Sequence, residues 1–458
     1  MADSGESSTI HNVLRKYQRY LMVYIAFVEL FIVCGPLYNY SILFLSFQKE
    51  FHTSAALTGW VGSIANAIFG ICGPFCAPLI LRFGLRTITL VSSVMFSIGL
   101  AATSFVPSLV YAHITFGILV GVGAGTVCQA VMTLVIDWFP GKDCARGTSM
   151  AVVGTSFCVL TFAPLFNTLT SAYGWRNALR IVSGGSLVIT LVHGCFIVEP
   201  AQVETSKSIT EEGGSYKMVE TNTGEKDDGD QPRDVTETVG KRIYKLLHQS
   251  EAWLWLTAGV LYNIGWTFVT INFASFMEYD LHFTAKQISI TFVIFAVGEI
   301  VGKCCFSAFG GRIPFLKLYC VAAGSLLGGA ASGVMILLRT VPLMYTVAAL
   351  MGLFRSACFT MAYTTVQELF GEYGADIVVM FTHAPYAFGV LIGAPISGVL
   401  YDLTGDYTLS LLTVLATFAC SVGLMLAIPV RRRIKLRLKK TRIPKEETTE
   451  KCLELANA

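Results

Sequence analysis

Charged side chains inside apolar segments are the residues of this sequence whose types and spacing best suit chemistry. Glu299 and Lys303 lie four positions apart in one such segment. On a helix this spacing puts both on one face, with the acid nearer the N-terminus, which favours an ion pair. Each charge costs roughly 2.5–3.5 kcal/mol at the centre of a membrane helix, so it needs a partner there. The pair therefore either binds a charged solute and protons or forms a purely structural ion pair.

Arg355 is a third charge of this kind, in the middle of another apolar segment. An arginine inside a membrane requires an anionic or carbonyl partner. It could bind an anionic solute directly, or it could pair with Glu299. Lys303 and Arg355 against the one acid give a net positive charge, which favours a solute that carries a carboxylate.

Two further titratable residues lie in apolar segments, Glu29 and His383. Glu29 could take up protons, or it could be solvated through a cavity. His383 could relay protons, or it could be a hydrogen-bonded core histidine. Both are candidates for proton coupling.

Composition indicates which elements must position these residues. Of 458 residues, 54% are apolar and only 14% are charged, too few to cover a soluble globule. Twelve apolar stretches are each long enough to cross a hydrocarbon core of roughly 30 Å. They lie near residues 20–46, 55–81, 87–106, 109–138, 147–172, 178–198, 252–278, 286–310, 317–338, 342–370, 376–400 and 408–430, and we number them spans 1 to 12. The sequence predicts an all-α membrane protein.

The hydrophilic segments divide the chain into five parts. Residues 1–19 precede a six-helix bundle at 20–198, a polar flexible linker at 199–250 precedes a second bundle at 251–430, and a basic tail follows at 431–458. Basic residues mark the cytoplasmic ends of spans, namely Arg15, Lys16, Arg19, Arg82, Arg86, Lys142 and Arg146. Both termini are therefore expected in the cytoplasm. The basic tail either anchors this topology or also contacts anionic lipid.

An offset of 231 residues relates the two halves. It aligns Ala163-Pro164 and Gly174 with Ala394-Pro395 and Gly405, Asp137 with Glu368, Gly121 with Gly352, and Arg86 with Lys317. Parallel repeats of this kind predict two bundles related by an axis along the membrane normal, with a solute site between them and alternating access. Glycines four apart predict close helix packing, as at Gly117, Gly121 and Gly125, at Gly298 and Gly302, and at Gly389 and Gly393.

Two segments carry a family resemblance. Tyr173–Leu179 reads YGWRNAL and resembles a YGWRxAL motif, and Gly393–Tyr407 reads GAPISGVLYDLTGDY and is similar to a GPPxxGxxxDxTGxY run. Both are motifs of the monocarboxylate transporter family, solute carrier family 16, within the major facilitator superfamily. The chain departs from that family at Arg19–Tyr24, where an acidic-Gly-aromatic motif is usual, and it has Tyr38 or Asn39 where lactate carriers have a lysine. A divergent member is implied.

The resemblance also implies roles for individual residues. The family has an Asp-x-x-x-Arg pair in helix 8 that serves proton coupling and anion recognition, so Glu299 would accept the proton and Lys303 would face a carboxylate. Family architecture places polar groups of helices 1 and 7 along the solute cavity, here Tyr38, Asn39, Tyr262, Asn263 and Trp266. Ordinary hydrogen bonding between helices is the other explanation for these groups.

The function expected from this sequence is proton-linked symport of a small organic anion. The alternatives are a facilitated uniporter for amino acids or another neutral solute, and a non-transporting sensor with a carrier fold. We expect no enzyme, because the chain has no nucleophile motif in context, metal-ligand spacing or phosphate-binding loop. We also expect no cofactor, no metal and no nucleic acid partner. The expected partners are the solute, protons, the lipid bilayer and, by resemblance, a single-span ancillary subunit. We expect the protein in the plasma membrane rather than in an internal membrane.

Overall fold

The chain is described by a computed structural model over residues 3–53, 55–200, 239–273, 276–337 and 340–456, and all its regular elements there are helical. The first half contains helices Asp3–Tyr38, Tyr40–Phe51, Ala55–Ile71, Gly73–Phe83, Leu85–Thr103, Leu109–Ala112, π-helical His113–Val120, Gly121–Trp138 and Cys144–Cys195. The second contains Val239–Leu247, Ser250–Thr267, π-helical Phe268–Asn272 and Phe276–Asp280, Ala285–Phe309, Leu318–Leu337, Val341–Phe370, Ala375–Thr404 and Thr408–Ala456.

These helices supply the twelve expected spans. In the described ranges nine helical segments are long and apolar enough to cross a membrane, and a pair bent by 50° at Cys72 makes a tenth. Gly174 interrupts the longest segment with φ 76° and ψ 158°, a backbone conformation that glycine adopts without steric cost, so that segment contains spans 5 and 6. Ser250–Thr267 and the π-helical turns that continue it form span 7. The all-α membrane fold is confirmed.

Packing inside the two halves repeats as the offset predicts. Gly121 in span 4 lies against the backbone of Ala65 in span 2. Gly352 in span 10 lies against the backbone of Phe295 in span 8. The two glycines differ by 231 positions and their partners by 230, so equivalent helices meet at equivalent points in both halves.

The most extensive contacts between the halves are those of span 2 with span 11 and of span 5 with span 8. A twofold axis that exchanges the halves converts one pair into the other. Gly70 lies beside Ala387 in the first pair, and Gly310, just after span 8, lies beside Ala145 at the start of span 5. With twelve spans we expect both termini on one side of the membrane, and Ala145 and Gly310 lie at the span ends that would face that side.

The linker differs in part from the expectation of a flexible segment. Residues 201–238 lie outside the described part of the chain, but Val239–Leu247 form a helix. Val239 and Leu246 are buried, because the apolar residues of this stretch fall on one helical face. Arg242 binds Asp376 of span 11 through two hydrogen bonds, of 3.0 and 2.7 Å. The end of the predicted linker is therefore an ordered helix fastened to the second half.

The basic tail is helical where its backbone is described. Span 12 continues without a break as the helix Thr408–Ala456. Lys435 at its base pairs with Glu251 at 2.6 Å. The side chains beyond residue 435 lie outside the described part, and a contact of the tail with lipid stays a prediction.

Candidate functional site

Glu299, Lys303 and Arg355 meet in the second half. The Glu299 carboxylate lies between the two cations, with Oε1 2.7 Å from the Lys303 Nζ and Oε2 2.7 Å from the Arg355 Nη1. Glu299 is 6% exposed and Lys303 1%. One carboxylate thus faces two cations in a low-dielectric setting, and the cluster carries a net charge of +1. Arg355 does pair with Glu299, as one of the two alternatives predicted.

Glycines bring these charges together. A Cβ added to Gly298 would overlap the backbone of Ala349, and one added to Gly302 would overlap the side chain of Ser356. Spans 8 and 10 therefore approach more closely than larger residues would allow. Gly298 directly precedes Glu299, so this close approach lets a side chain of span 8 reach Arg355 in span 10.

Lys303 also binds the other half of the molecule. Its Nζ donates hydrogen bonds to the Ser156 Oγ at 2.7 Å and the Thr155 Oγ1 at 2.9 Å, both in span 5. Together with Glu299 these bonds account for the three donors of an ammonium group. In this conformation Lys303 ties span 8 to span 5, and a solute anion would have to replace one of its present partners.

Arg355 has donors to spare. Its Nη1 donates to Glu299, while its Nε is buried without a hydrogen-bond partner among the described residues. One face of the guanidinium is covered by Phe359, whose ring centroid lies 4.3 Å from the Arg355 Cζ. The guanidinium edge formed by Nε and Nη2 faces away from the bond to Glu299, and two parallel donors of this kind match a carboxylate.

A cavity between the halves borders these charges. It is lined by Leu30, Tyr38, Phe69, Cys128, Val152, Thr155, Tyr262, Asn263, Glu299, Lys303, Arg355, Phe359, Ala362, Tyr363, Thr382, His383 and Tyr386. Aromatic rings form one wall, where Phe359 lies 6.5 Å from Tyr262 and 6.1 Å from Tyr386 between centroids. A cationic group against apolar and aromatic walls suits a small organic anion.

His383 lines the same cavity with both ring nitrogens engaged. Its Nδ1 lies 3.0 Å from the Val379 carbonyl oxygen and therefore carries the hydrogen, since a carbonyl only accepts. Its Nε2 lies 3.0 Å from the Tyr363 hydroxyl and 3.5 Å from the Cys128 Sγ. These bonds agree with a hydrogen-bonded core histidine, and a proton relay stays a prediction.

Three of the predicted site residues lie outside this cavity. Glu29 is fully buried, and Ser93 of span 3 donates to its Oε2 at 3.5 Å, so the expected solvation through the cavity is wrong. Asn39 interrupts the first helix with φ −104° and donates to the Gly35 carbonyl oxygen at 2.9 Å. Trp266 packs edge-on against Phe418 at 5.2 Å between centroids. These three side chains point away because the rotation of each helix depends on its neighbours.

Tyr38, Tyr262 and Asn263 do line the cavity, and their contact with a solute stays a prediction. Sequence reasoning missed ten other lining residues, namely Leu30, Phe69, Cys128, Val152, Thr155, Phe359, Ala362, Tyr363, Thr382 and Tyr386. Most are aromatic or small polar residues, which are common in membrane helices. Phe359 and Tyr363 follow Arg355 at four-residue intervals, and this was the one signal that could have placed them on its face.

Comparison with known proteins agrees with this architecture. The family model described as Major Facilitator Superfamily matches residues 26–270 and 254–451. Monocarboxylate transporter 13 of Rattus norvegicus is 22% identical over 90% of this chain and 89% of its own length. Monocarboxylate transporter 12 of Mus musculus is 25% identical over 88% and 83%, and monocarboxylate transporter 2 of Homo sapiens is 24% identical over 90% and 85%.

These relatives are transporters, and at this low identity they resemble the chain over most of its length, as expected of a divergent member. The two ranges that the family model matches extend through both halves of the chain. The chain is a multi-pass membrane transporter and belongs to the major facilitator superfamily.

Proposed function

We propose that this transporter carries a small monocarboxylate-like anion together with a proton by alternating access. The observation that supports this proposal is the edge of the Arg355 guanidinium that carries Nε, an atom without a hydrogen-bond partner among the described residues, beside Glu299 and on a cavity between the halves. A carboxylate would bind this edge through two charge-assisted hydrogen bonds. The names of the relatives agree with a monocarboxylate as the solute.

Proton coupling follows from the position of Glu299. A solute carboxylate on Arg355 would lie close to the Glu299 carboxylate, and two like charges in a buried site repel strongly. A proton on Glu299 removes this repulsion. Solute and proton therefore load together, with Glu299 as the proton acceptor.

Lys303 connects the charge state of the site to the contact between the halves. It binds Glu299 in its own half and Ser156 in the other half. Protonation of Glu299 neutralises the acidic partner of Lys303. The Lys303 ammonium group then keeps its hydrogen bonds to span 5 or binds the solute. Loading the site thus changes a bond that spans both halves, as alternating access requires.

We place both termini in the cytoplasm and the protein in the plasma membrane, on the basic residues at the ends of its spans. A single-span ancillary subunit is a further partner that the family resemblance implies.

Uptake of a labelled panel of monocarboxylates and amino acids at pH 6 and pH 7.5 tests the function. We expect carboxylate uptake to rise at pH 6 and to fall about tenfold to a hundredfold in Arg355→Ala, since hydrogen bonds to a charged group are lost. Lys303→Ala should also lower uptake, because the bond that joins Glu299 to span 5 is lost. Lys286→Ala is the matched control, because Lys286 is an exposed residue of the same helix as Lys303.

Other outcomes would point to the alternatives. Uptake that ignores both pH and these substitutions would contradict symport and support a uniporter. Well-folded surface protein that takes up no solute of the panel would overturn the proposed transport of monocarboxylates and favour the sensor.

A further inference from the structure

The helix Val239–Leu247 presents basic residues on one exposed face. Lys241, Lys245 and His248 are exposed, and their spacing of four and three positions puts them side by side along the helix. Tyr244 belongs to the same face and is 66% exposed. The opposite side is apolar and buried against the second half. The helix is therefore amphipathic, and its outer side is basic.

Arg242 holds this helix in place. Its guanidinium donates to both carboxylate oxygens of Asp376 and, at 2.6 Å, to the Tyr373 carbonyl oxygen. An ideal Cβ on Gly374, which has φ 103°, would lie 2.7 Å from the Arg242 Nη1, so glycine at this position leaves room for the guanidinium. The orientation of the basic side is therefore fixed relative to span 11.

Aromatic residues indicate the depth of the basic side in the membrane. Trp253 lies at the start of span 7 and is 57% exposed, and its indole N–H donates to the Leu247 carbonyl oxygen at 2.9 Å. Tryptophan and tyrosine at the ends of spans lie at the level of the lipid headgroups. The helix thus lies at that level, on the side where we expect the termini.

The base of the C-terminal tail adds cations next to this helix. Lys435 pairs with Glu251 at the start of span 7, and the Lys435 side chain is 57% exposed. Arg431, one turn earlier on the same helical face, is exposed as well. The acids of this region are Glu251, which is 3% exposed, and the exposed Glu372. With the two lysines of the linker helix, four cations face two acids, so the surface is positively charged.

An anionic lipid headgroup fits a surface with these properties, because cations attract its phosphate and the aromatic rings lie at its depth. We propose that Lys241, Lys245 and Lys435, with Tyr244 and Trp253, form a binding site for an anionic phospholipid of the cytoplasmic leaflet. A soluble phosphate compound fits less well, since it gains nothing from the exposed rings. The binding is independent of the solute, and only the name of the leaflet rests on the orientation proposed above.

Titration of the delipidated, full-length protein in detergent with phosphatidylserine, followed by native mass spectrometry, tests this site. Wild type should bind phosphatidylserine more tightly than the zwitterionic phosphatidylcholine. The double variant Lys241→Gln and Lys245→Gln should bind phosphatidylserine about tenfold to thirtyfold more weakly, because each lysine near a membrane surface contributes to the attraction. Its binding of phosphatidylcholine should stay unchanged.

The double variant Lys49→Gln and Lys286→Gln is the matched control. It also removes two exposed lysines, but these lie just after span 1 and at the start of span 8, on the other side of the membrane, so its affinity should equal that of wild type. Arg242→Gln keeps Lys241 and Lys245 and releases the helix from span 11. Phosphatidylserine binding should fall in this variant too, and thermal unfolding establishes that each variant is folded.

Several results would overturn the proposal. One is equal affinity of wild type for the two lipids, and another is the same loss of affinity in the control as in the variant of the linker helix. Unchanged binding in folded Arg242→Gln would contradict a site that depends on the position of this helix. Soluble glycerophosphoserine that binds as tightly as phosphatidylserine would identify a soluble anion as the ligand instead. None of these measurements includes transport, so their failure leaves the proposed function standing.

Discussion

At the scale of single residues, the charge count of the cluster decides which substitution the fold tolerates. Glu299 is the shared anion of Lys303 and Arg355. Removing either cation leaves one neutral ion pair. Removing Glu299 leaves two buried cations without their anion, and a buried charge without a partner is strongly destabilising.

We therefore expect Glu299→Gln to lower the free energy of unfolding by about 3–5 kcal/mol, and Lys303→Met or Arg355→Met to cost clearly less. Adding Lys303→Met to Glu299→Gln should recover part of the loss, because one of the two uncompensated cations is gone. Thermal unfolding of the four purified variants measures this order. A Glu299→Gln protein as stable as wild type, or a double variant less stable than Glu299→Gln alone, would contradict this description of the cluster.

The sequence was informative about residues that interact along one helix. A spacing of four predicted the pair of Glu299 and Lys303, and the structure has it. The partner of Arg355 stayed open, since 56 positions separate it from Glu299 and only tertiary packing brings them together. Asn39 and Asn263 looked equivalent in the sequence, but only Asn263 faces the cavity, because the rotation of a helix about its axis is set by its neighbours.

At the scale of elements, the YGWR segment between spans 5 and 6 connects three loops on the side opposite the expected side of the termini. We call this set of contacts a tie. After the break at Gly174, the Trp175 Nε1 and the Arg176 Nη2 both donate to the Glu50 carboxylate, the latter at 2.7 Å. Arg176 also donates to the carbonyl oxygens of Ser104 and Val106, each at 2.9 Å. This explains a basic residue on the side where basic residues are not expected. The motif that carried the family resemblance thus holds three loops together.

This tie should make stability depend on pH. Partial burial opposes ionisation of Glu50, but hydrogen bonds from Arg176 and Trp175 and the charge of Arg176 outweigh it and lower the pKa of the Glu50 carboxyl. A lowered pKa in the folded state stabilises the protein above the ordinary glutamate pKa of about 4.3, and this contribution is lost as pH falls through the lowered value. Since the Glu50 side chain is 41% exposed, the effect should stay below about 1 kcal/mol.

The melting temperatures of wild type and Glu50→Gln at several pH values measure this effect. Wild type should melt higher than Glu50→Gln at pH 7, and the difference should shrink below about pH 4. Glu278→Gln, at an exposed acid near the end of span 7, should show no such convergence. A difference that stays constant into strong acid would mean that Glu50 acts through packing rather than through its charge.

At the scale of the whole molecule, the repeat predicted more than the individual motifs did. A single offset of 231 residues implied two related halves, and the structure pairs span 2 with span 11 and span 5 with span 8 as a twofold axis requires. The bend at Cys72 and the π-helical turns were not predicted, because hydrophobicity and length give no information about local backbone geometry. The sequence likewise did not predict where the two halves touch, because that position depends on tertiary packing.

The contact between Ala145 and Gly310 leads to a prediction about transport. The ideal Cβ of Gly310 would lie 3.2 Å from the Cβ of Ala145, slightly closer than the roughly 3.5–4.5 Å of a disulfide. A shift of a few tenths of an ångström should therefore let Ala145→Cys and Gly310→Cys form a bond across the two halves. Solute can leave on this side only if the halves separate there, so the oxidised double variant should bind solute but not transport it, and dithiothreitol should restore transport.

The two single-cysteine variants, oxidised in the same way, control for the native Cys144, Cys304 and Cys305 nearby. They should keep transport, since neither new thiol has its intended partner. Mass spectrometry of peptides establishes that the intended bond has formed. A verified cross-link with undiminished transport would show that the halves do not part at Ala145 and Gly310, and the rocking of one half against the other would have to be replaced by a local movement of helices around Arg355.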